Sequence, residues 1–169
     1  VVVCHFSHLS GQRREELEEQ GFDTISTRDY RWESQLESDM THLVSGTEET
    51  IVLLTTYGKY HKKDFRERIS DYSVEKLLMA DEVHSSGAPT HSKGLIKEYD
   101  YRLGLSATPE RYMDEEGTEI IMDYFEGIVQ EYGLEKAIEE GHLSEYEYHV
   151  KQVDLSKKER DKYLENTKK

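Results

Sequence analysis

The sequence predicts an α/β domain built on a parallel sheet with helices on both faces. Three observations point there. Short apolar, β-branched runs recur along the chain, polar stretches with helical spacing separate them, and two of the runs end abruptly on chemically active residues.

Residues 1–4 (VVVC) read as a buried strand, and residues 11–20 (GQRREELEEQ) as a polar helix stopped by Gly21. A short second strand is expected over 22–26 (FDTIS). Residues 30–44 then carry Trp32, Leu36, Met40, Leu43 and Val44 at near-helical spacing. Ser45, Gly46 and Thr47 supply a turn before a stronger strand at 51–55 (IVLLT). A helix over 62–72 leads to a strand at 76–80 (KLLMA), and a further strand is expected at 101–105 (YRLGL). Residues 120–125 and 134–140 read as helical. Strands alternating with helices imply parallel βαβ units, packed on both faces. Because the chain opens on Val1, Val2 and Val3, an earlier strand and loop are expected upstream.

With 35% hydrophobic and 34% charged residues, the 169-residue chain can build a modest core and is not disordered by composition. No apolar run approaches the roughly 20 residues that span a bilayer, so no membrane partner is expected. The single cysteine, Cys4, cannot form an internal disulfide and reads as a buried strand thiol, which favours a reducing, cytoplasmic setting. The eight histidines lack zinc-site spacing. A formal net charge of −14 argues against this stretch alone gripping a phosphate backbone, and the twelve tyrosines and Trp32 lack the basic groove of a base-stacking platform.

In open α/β sheets, ligands sit beyond the carboxyl ends of the strands. Two strand ends stand out. In LLMADEVH, residues 77–84, an apolar strand delivers Asp81 and Glu82, followed by His84. Phosphoryl transfer from ATP needs a carboxylate that holds Mg²⁺ or its waters, and a second group that orients the attacking water. Asp81 suits the first role and Glu82 the second, although an acidic pair alone is also an ordinary way to begin a surface loop. In LGLSATPER, residues 103–111, Ser106 and Thr108 lie on a turn pinned by Pro109 and suit hydrogen bonding to a neighbouring loop.

Together and in this order, the two segments resemble motifs II and III of superfamily-two helicases. Asp81, Glu82, Val83 and His84 stand on the D-E-x-H Walker B pattern, and Ser106, Ala107 and Thr108 on the S-A-T pattern. The resemblance implies a RecA-like P-loop NTPase domain, with ATP and Mg²⁺ bound through Asp81 and Glu82. His84 would link the Walker B strand to the coupling residues Ser106, Ala107 and Thr108, or to the second domain. VVVCHFSHL, residues 1–9, resembles motif Ia with His5 in the place of the usual proline. LLTTYG, residues 53–58, resembles the segment called Ib or Ic. These two matches imply nucleic-acid contacts from His5, Phe6 and Ser7 and from Thr55, Thr56 and Tyr57. Downstream, Leu143, Tyr146 and Tyr148 occupy an L-x-x-Y-x-Y pattern that resembles the branch containing XPB and the helicase subunits of restriction enzymes.

No G-x-x-x-x-G-K-[ST] loop occurs in the sequence. By the family's order it should precede Val1, and the second motor domain should follow. The resemblance therefore implies that residues 1–142 are part of a first RecA-like domain, from motif Ia onward, and that 143–169 are the linker and start of a second. The expected activity of the parent is ATP-dependent movement on nucleic acid, DNA in preference to RNA, with the 169 residues alone inactive. The alternative is a helicase-like binding module without hydrolysis.

Overall fold

A computed structural model of the chain describes residues 1–5, 7–47 and 49–167, the side chains of 7–11 excepted. Strand β1 (Val2–Cys4) is the middle of a five-stranded sheet with β2 (Asp23–Ser26), β3 (Ile51–Thr56), β4 (Leu77–Asp81) and β5 (Tyr101–Leu105). The order across the sheet is β2-β3-β1-β4-β5, and every pairing is parallel. The register sets Val3 beside both Thr55 and Ala80, and Asp81 beside Leu105.

Helix α1 (Ser7–Glu19) joins β1 to β2, and α2 (Trp32–Ser45) returns to β3. After β3, α3 (Tyr57–Tyr60) and α4 (Lys63–Ser70) lead to β4, and α5 (Glu115–Phe125) follows β5. Because side chains alternate across a strand, Val3, Ile25, Leu53 and Leu78 share one face. They form the main core with Trp32, Leu36 and Met40 of α2, Tyr57 and Tyr60 of α3, Phe65 and Ile69 of α4, and Tyr99. The opposite face buries Cys4 and Leu54 under α1, whose Glu18 accepts a hydrogen bond from Thr24 Oγ1. A smaller cluster of Ala80, Val83 and Ile121 joins β4 to α5. β5 ends the sheet, with Tyr101, Leu103 and Leu105 exposed. Among the described residues no helix is long and apolar enough to cross a membrane.

The expected strands and helices are present; α5 starts at Glu115 rather than Ile120, α3 is additional to them, and two further differences have a clear physical reason. Helix α1 starts at Ser7 rather than Gly11. A glycine inside a helix costs only about 1 kcal/mol, so Gly11 is carried within it instead of opening it. Helix α7 (Lys157–Thr167) has no buried residue and hence no apolar stripe to announce it. Its signal is a capping box, in which the Ser156 backbone N–H donates to Glu159 Oε2 at 2.9 Å and the Glu159 N–H to Ser156 Oγ at 3.4 Å. With α6 (Leu134–Glu139) it lies in a compact unit of its own, Gln130–Lys169, distinct from Val1–Val129.

Gly94 and Gly104 are among the glycines that close approach requires. A Cβ on Gly94 would lie 2.2 Å from the buried Tyr60 ring, and one on Gly104 would lie 2.8 Å from Val83 Cγ2. Gly94→Ala should therefore destabilise the domain by about 1–3 kcal/mol, the usual cost of overpacking. Urea denaturation of the chain reads this directly, and an unchanged midpoint would refute the packing seen around Tyr60.

Candidate active site at the carboxyl end of the sheet

Strand β4 is anchored by the buried Leu78 and Ala80, so its last residue, Asp81, reaches the carboxyl edge where β1, β3 and β5 also end. Its side chain is 24% exposed and its Oδ2 lies 3.7 Å from Arg13 Nη2 of α1. Glu82 follows in the left-handed region, φ 51° and ψ 54°, a conformation costing a non-glycine residue about 1–2 kcal/mol. The reversal ends the strand and starts a tight 3₁₀ turn, Val83–Gly87.

Neighbouring elements hold this turn in place. The Tyr57 hydroxyl donates to the carbonyl of Asp81 at 2.9 Å and lies 3.4 Å from that of Glu82, and the Ser85 N–H donates to the Glu82 carbonyl at 2.9 Å. Each such bond contributes about 1 kcal/mol net, enough in sum to offset the strained residue. Burial pushes the Tyr57 phenol well above its ordinary pKa, so it stays a donor.

The turn brings Glu82 to the end of β5. Glu82 Oε2 accepts a hydrogen bond from Ser106 Oγ at 3.3 Å and lies 3.4 Å from His84 Nδ1, while His84 Nδ1 and Ser106 Oγ are 3.2 Å apart. Glu82, His84 and Ser106 thus close a triangle across two adjacent strand ends. Thr108 joins through its backbone N–H, which donates to Ser106 Oγ at 3.2 Å; its side chain is exposed, as is Ala107. The adjacent carboxylates diverge, Asp81 toward a cation on α1 and Glu82 toward a serine and a histidine.

The expected nucleic-acid contacts are distributed unevenly. His5 is exposed at the end of β1 with Nδ1 3.0 Å from Ser85 Oγ. Phe6 lies outside the described residues, and Ser7 opens α1 with its side chain outside them. Thr55 and Tyr57 are buried, Thr55 Oγ1 accepting from Thr27 Oγ1 at 3.1 Å. Only Thr56 of that trio is part-exposed. Ser85, Ser86 and Gly87, whose composition suggests a flexible connector, are instead buried in the 3₁₀ turn. Ser86 Oγ donates to the Tyr57 hydroxyl at 3.4 Å.

Further groups complete the surroundings. Cys4 is fully buried, and burial followed by the nearby Asp81 charge raises its thiol pKa, so it is an inert strand residue. His91 stacks 5.3 Å from the Tyr57 ring and 5.4 Å from His61, its pKa lowered first by burial. The supports at Tyr57 and Arg13 carry no sequence signal, because each joins elements far apart in the chain.

Chemically, the site offers one partly exposed carboxylate suited to a hard cation and a second, 46% exposed, suited to taking a proton from water. Mg²⁺ characteristically takes one or two protein carboxylates and fills its octahedron with water and phosphate oxygens. Asp81 fits that donor set.

The family model described as SWI2/SNF2 ATPase matches residues 12–169, which takes in β2 to β5, the acidic strand end and the S-A-T turn. No curated protein sequence matches the chain. With the match covering most of the chain and the parallel sheet beneath it RecA-like, the chain belongs to the SWI2/SNF2 ATPase family.

Proposed function

We propose that the parent protein hydrolyses ATP with magnesium and uses the cycle to translocate along or unwind nucleic acid, DNA in preference to RNA. The observation that carries this reading is the Glu82–His84–Ser106 triangle, because it joins a water-activating carboxylate to the turn after the neighbouring strand. A change at the nucleotide can then reach β5 without passing through solvent.

In this mechanism Asp81 holds Mg²⁺, which when bound neutralises phosphate charge. Glu82 orients the attacking water and takes its proton. His84 and Ser106 fix the Glu82 carboxylate, and Ser106 passes its position to the backbone at Thr108. His5, Thr56 and main-chain groups at the ends of β1 and β3 supply contacts to the nucleic-acid backbone. The net charge of −14 means that most of the grip on that polyanion comes from other parts of the protein.

Residues 1–142 then act as part of the first motor domain and 143–169 as the linker and start of the second. The phosphate-cradling loop is contributed from outside the 169 residues, which alone should be inactive. The L-x-x-Y-x-Y pattern at Leu143, Tyr146 and Tyr148 supports a parent near the XPB and restriction-helicase branch.

In the full-length protein, Glu82→Gln should abolish turnover while leaving ATP affinity near that of the parent, since the carboxylate acts on water. Steady-state phosphate release beside calorimetric ATP titration separates the two. Turnover at the parental rate would remove Glu82 as the base and favour a binding module without hydrolysis. Ser106→Ala should keep ATP binding and reduce nucleic-acid stimulation of turnover by about tenfold or more, the usual effect of losing a supporting contact. Undiminished stimulation would detach Ser106 from coupling.

A further inference from the structure

We propose that Arg111 is a positioning residue for Glu82: its guanidinium locks the 3₁₀ turn Val83–Gly87 against the start of α5 and so fixes the triangle in which Glu82 acts. The proposal rests on the role given to Glu82 above.

The side chain of Arg111 spends its donors in two directions. Nη1 donates to the carbonyl of His84, within the turn, and Nε donates to Asp114 Oδ2 at 2.7 Å. Asp114 is itself fixed as the cap of α5, with Oδ1 accepting from the Gly117 N–H at 2.9 Å. The Arg111 backbone N–H donates to Thr118 Oγ1 at 2.9 Å, and that hydroxyl donates to the Asp114 carbonyl. Arg111 and Asp114 are thus rigid relative to the helix, and the helix packs on the turn through Ile121 and Val83. The Asp114 carboxyl is held below its ordinary pKa, first by this guanidinium.

The slot around the arginine is built to its shape. A Cβ on Gly87 would lie 2.6 Å from Arg111 Cδ and 2.3 Å from the Gly117 carbonyl oxygen. One on Gly117 would lie 2.6 Å from Arg111 Nε. The side chain is threaded between two glycines, one on the turn and one on the helix. A surface ion pair explains neither glycine, nor the bond to His84, and by itself would contribute little.

The consequence falls on Glu82. Its left-handed backbone is unfavourable and relaxes unless the residues on both sides are held. Tyr57 holds the carbonyl side before it, and Arg111 holds the peptide two residues after it. With the His84 carbonyl free, the turn can rotate, and His84 Nδ1 and Glu82 Oε2 lose their common partner at Ser106. Lysine replaces this imperfectly, because a point donor reaches one acceptor where the guanidinium fork reaches two.

The test uses the full-length protein, with kcat and KM for ATP in the presence of magnesium and with thermal melting for each variant. Arg111→Ala should lower kcat about 10- to 100-fold, as removal of supporting contacts around such sites does, with KM little changed. Arg111→Lys should recover part of the loss, and millimolar guanidinium should partly restore Arg111→Ala. Gly117→Ala, a change that ordinarily favours a helix, should lower kcat as well by displacing the arginine. Should Arg111→Ala fail to fold, Arg111→Lys and Gly117→Ala carry the same test. The proposal is overturned by parental kcat in Arg111→Ala, by a raised KM at unchanged kcat, or by a loss that follows melting temperature and resists guanidinium. Glu82→Gln, measured beside them, separates the two claims. If it is inactive while Arg111→Ala is fully active, only the positioning role falls; if it turns over at the parental rate, the role of Glu82 falls first.

Discussion

The left-handed reversal at Glu82 is the constraint around which the site is assembled. An extended continuation of β4 would send Asp81 and Glu82 to opposite faces of the sheet. The reversal instead keeps both at the carboxyl edge and gives them different surroundings, Arg13 for one and Ser106 with His84 for the other. The strain is local and its support is distributed: a phenol from the end of β3, an amide within the turn, and a guanidinium from the loop before α5. Each donor comes from an element that the parallel topology brings to the same edge.

Charge has a similarly divided role. The chain is acidic as a whole, yet at the edge of the sheet Asp81 has a cation opposite it, and the first turn of α5 is closed by a carboxylate cap. Arginine 13 is half exposed, so the pair it forms with Asp81 is a loose one. A loose partner suits the role proposed for Asp81, because a carboxylate held this lightly could exchange its arginine for a divalent ion at little cost.

Much of this was legible in the residues. The apolar runs that become β1, β3, β4 and β5 are short, bounded and β-branched or leucine-rich, and the residues the sequence singles out at the ends of β4 and β5, Asp81, Glu82 and Ser106, stand together at the carboxyl edge of the sheet. Local signals failed where a different interaction decided the outcome. Helix α1 runs through Gly11 because helical hydrogen bonding outweighs one glycine, and α7 is held by a capping box on a helix without an apolar face. The inward turn of Tyr57 is a long-range fact: nothing in LLTTYG states that the phenol will find the carbonyls after another strand. Arg111 is visible in SATPER, but its slot exists only once Gly87 and Gly117 face each other.

Gly104 has a bearing on how the chain can misfold. It sits under Val83, with no room for a side chain, and its neighbours in β5 are Leu103 and Leu105. A slip of β5 by one residue along β4 would turn a leucine into that space and invert every side chain of the strand. The same slip would carry Ser106 about 3.3 Å along the sheet, out of reach of Glu82. One glycine therefore acts as a proofreading notch: a sheet assembled one residue out of step meets a collision at Val83, the same misassembly that would part Ser106 from Glu82.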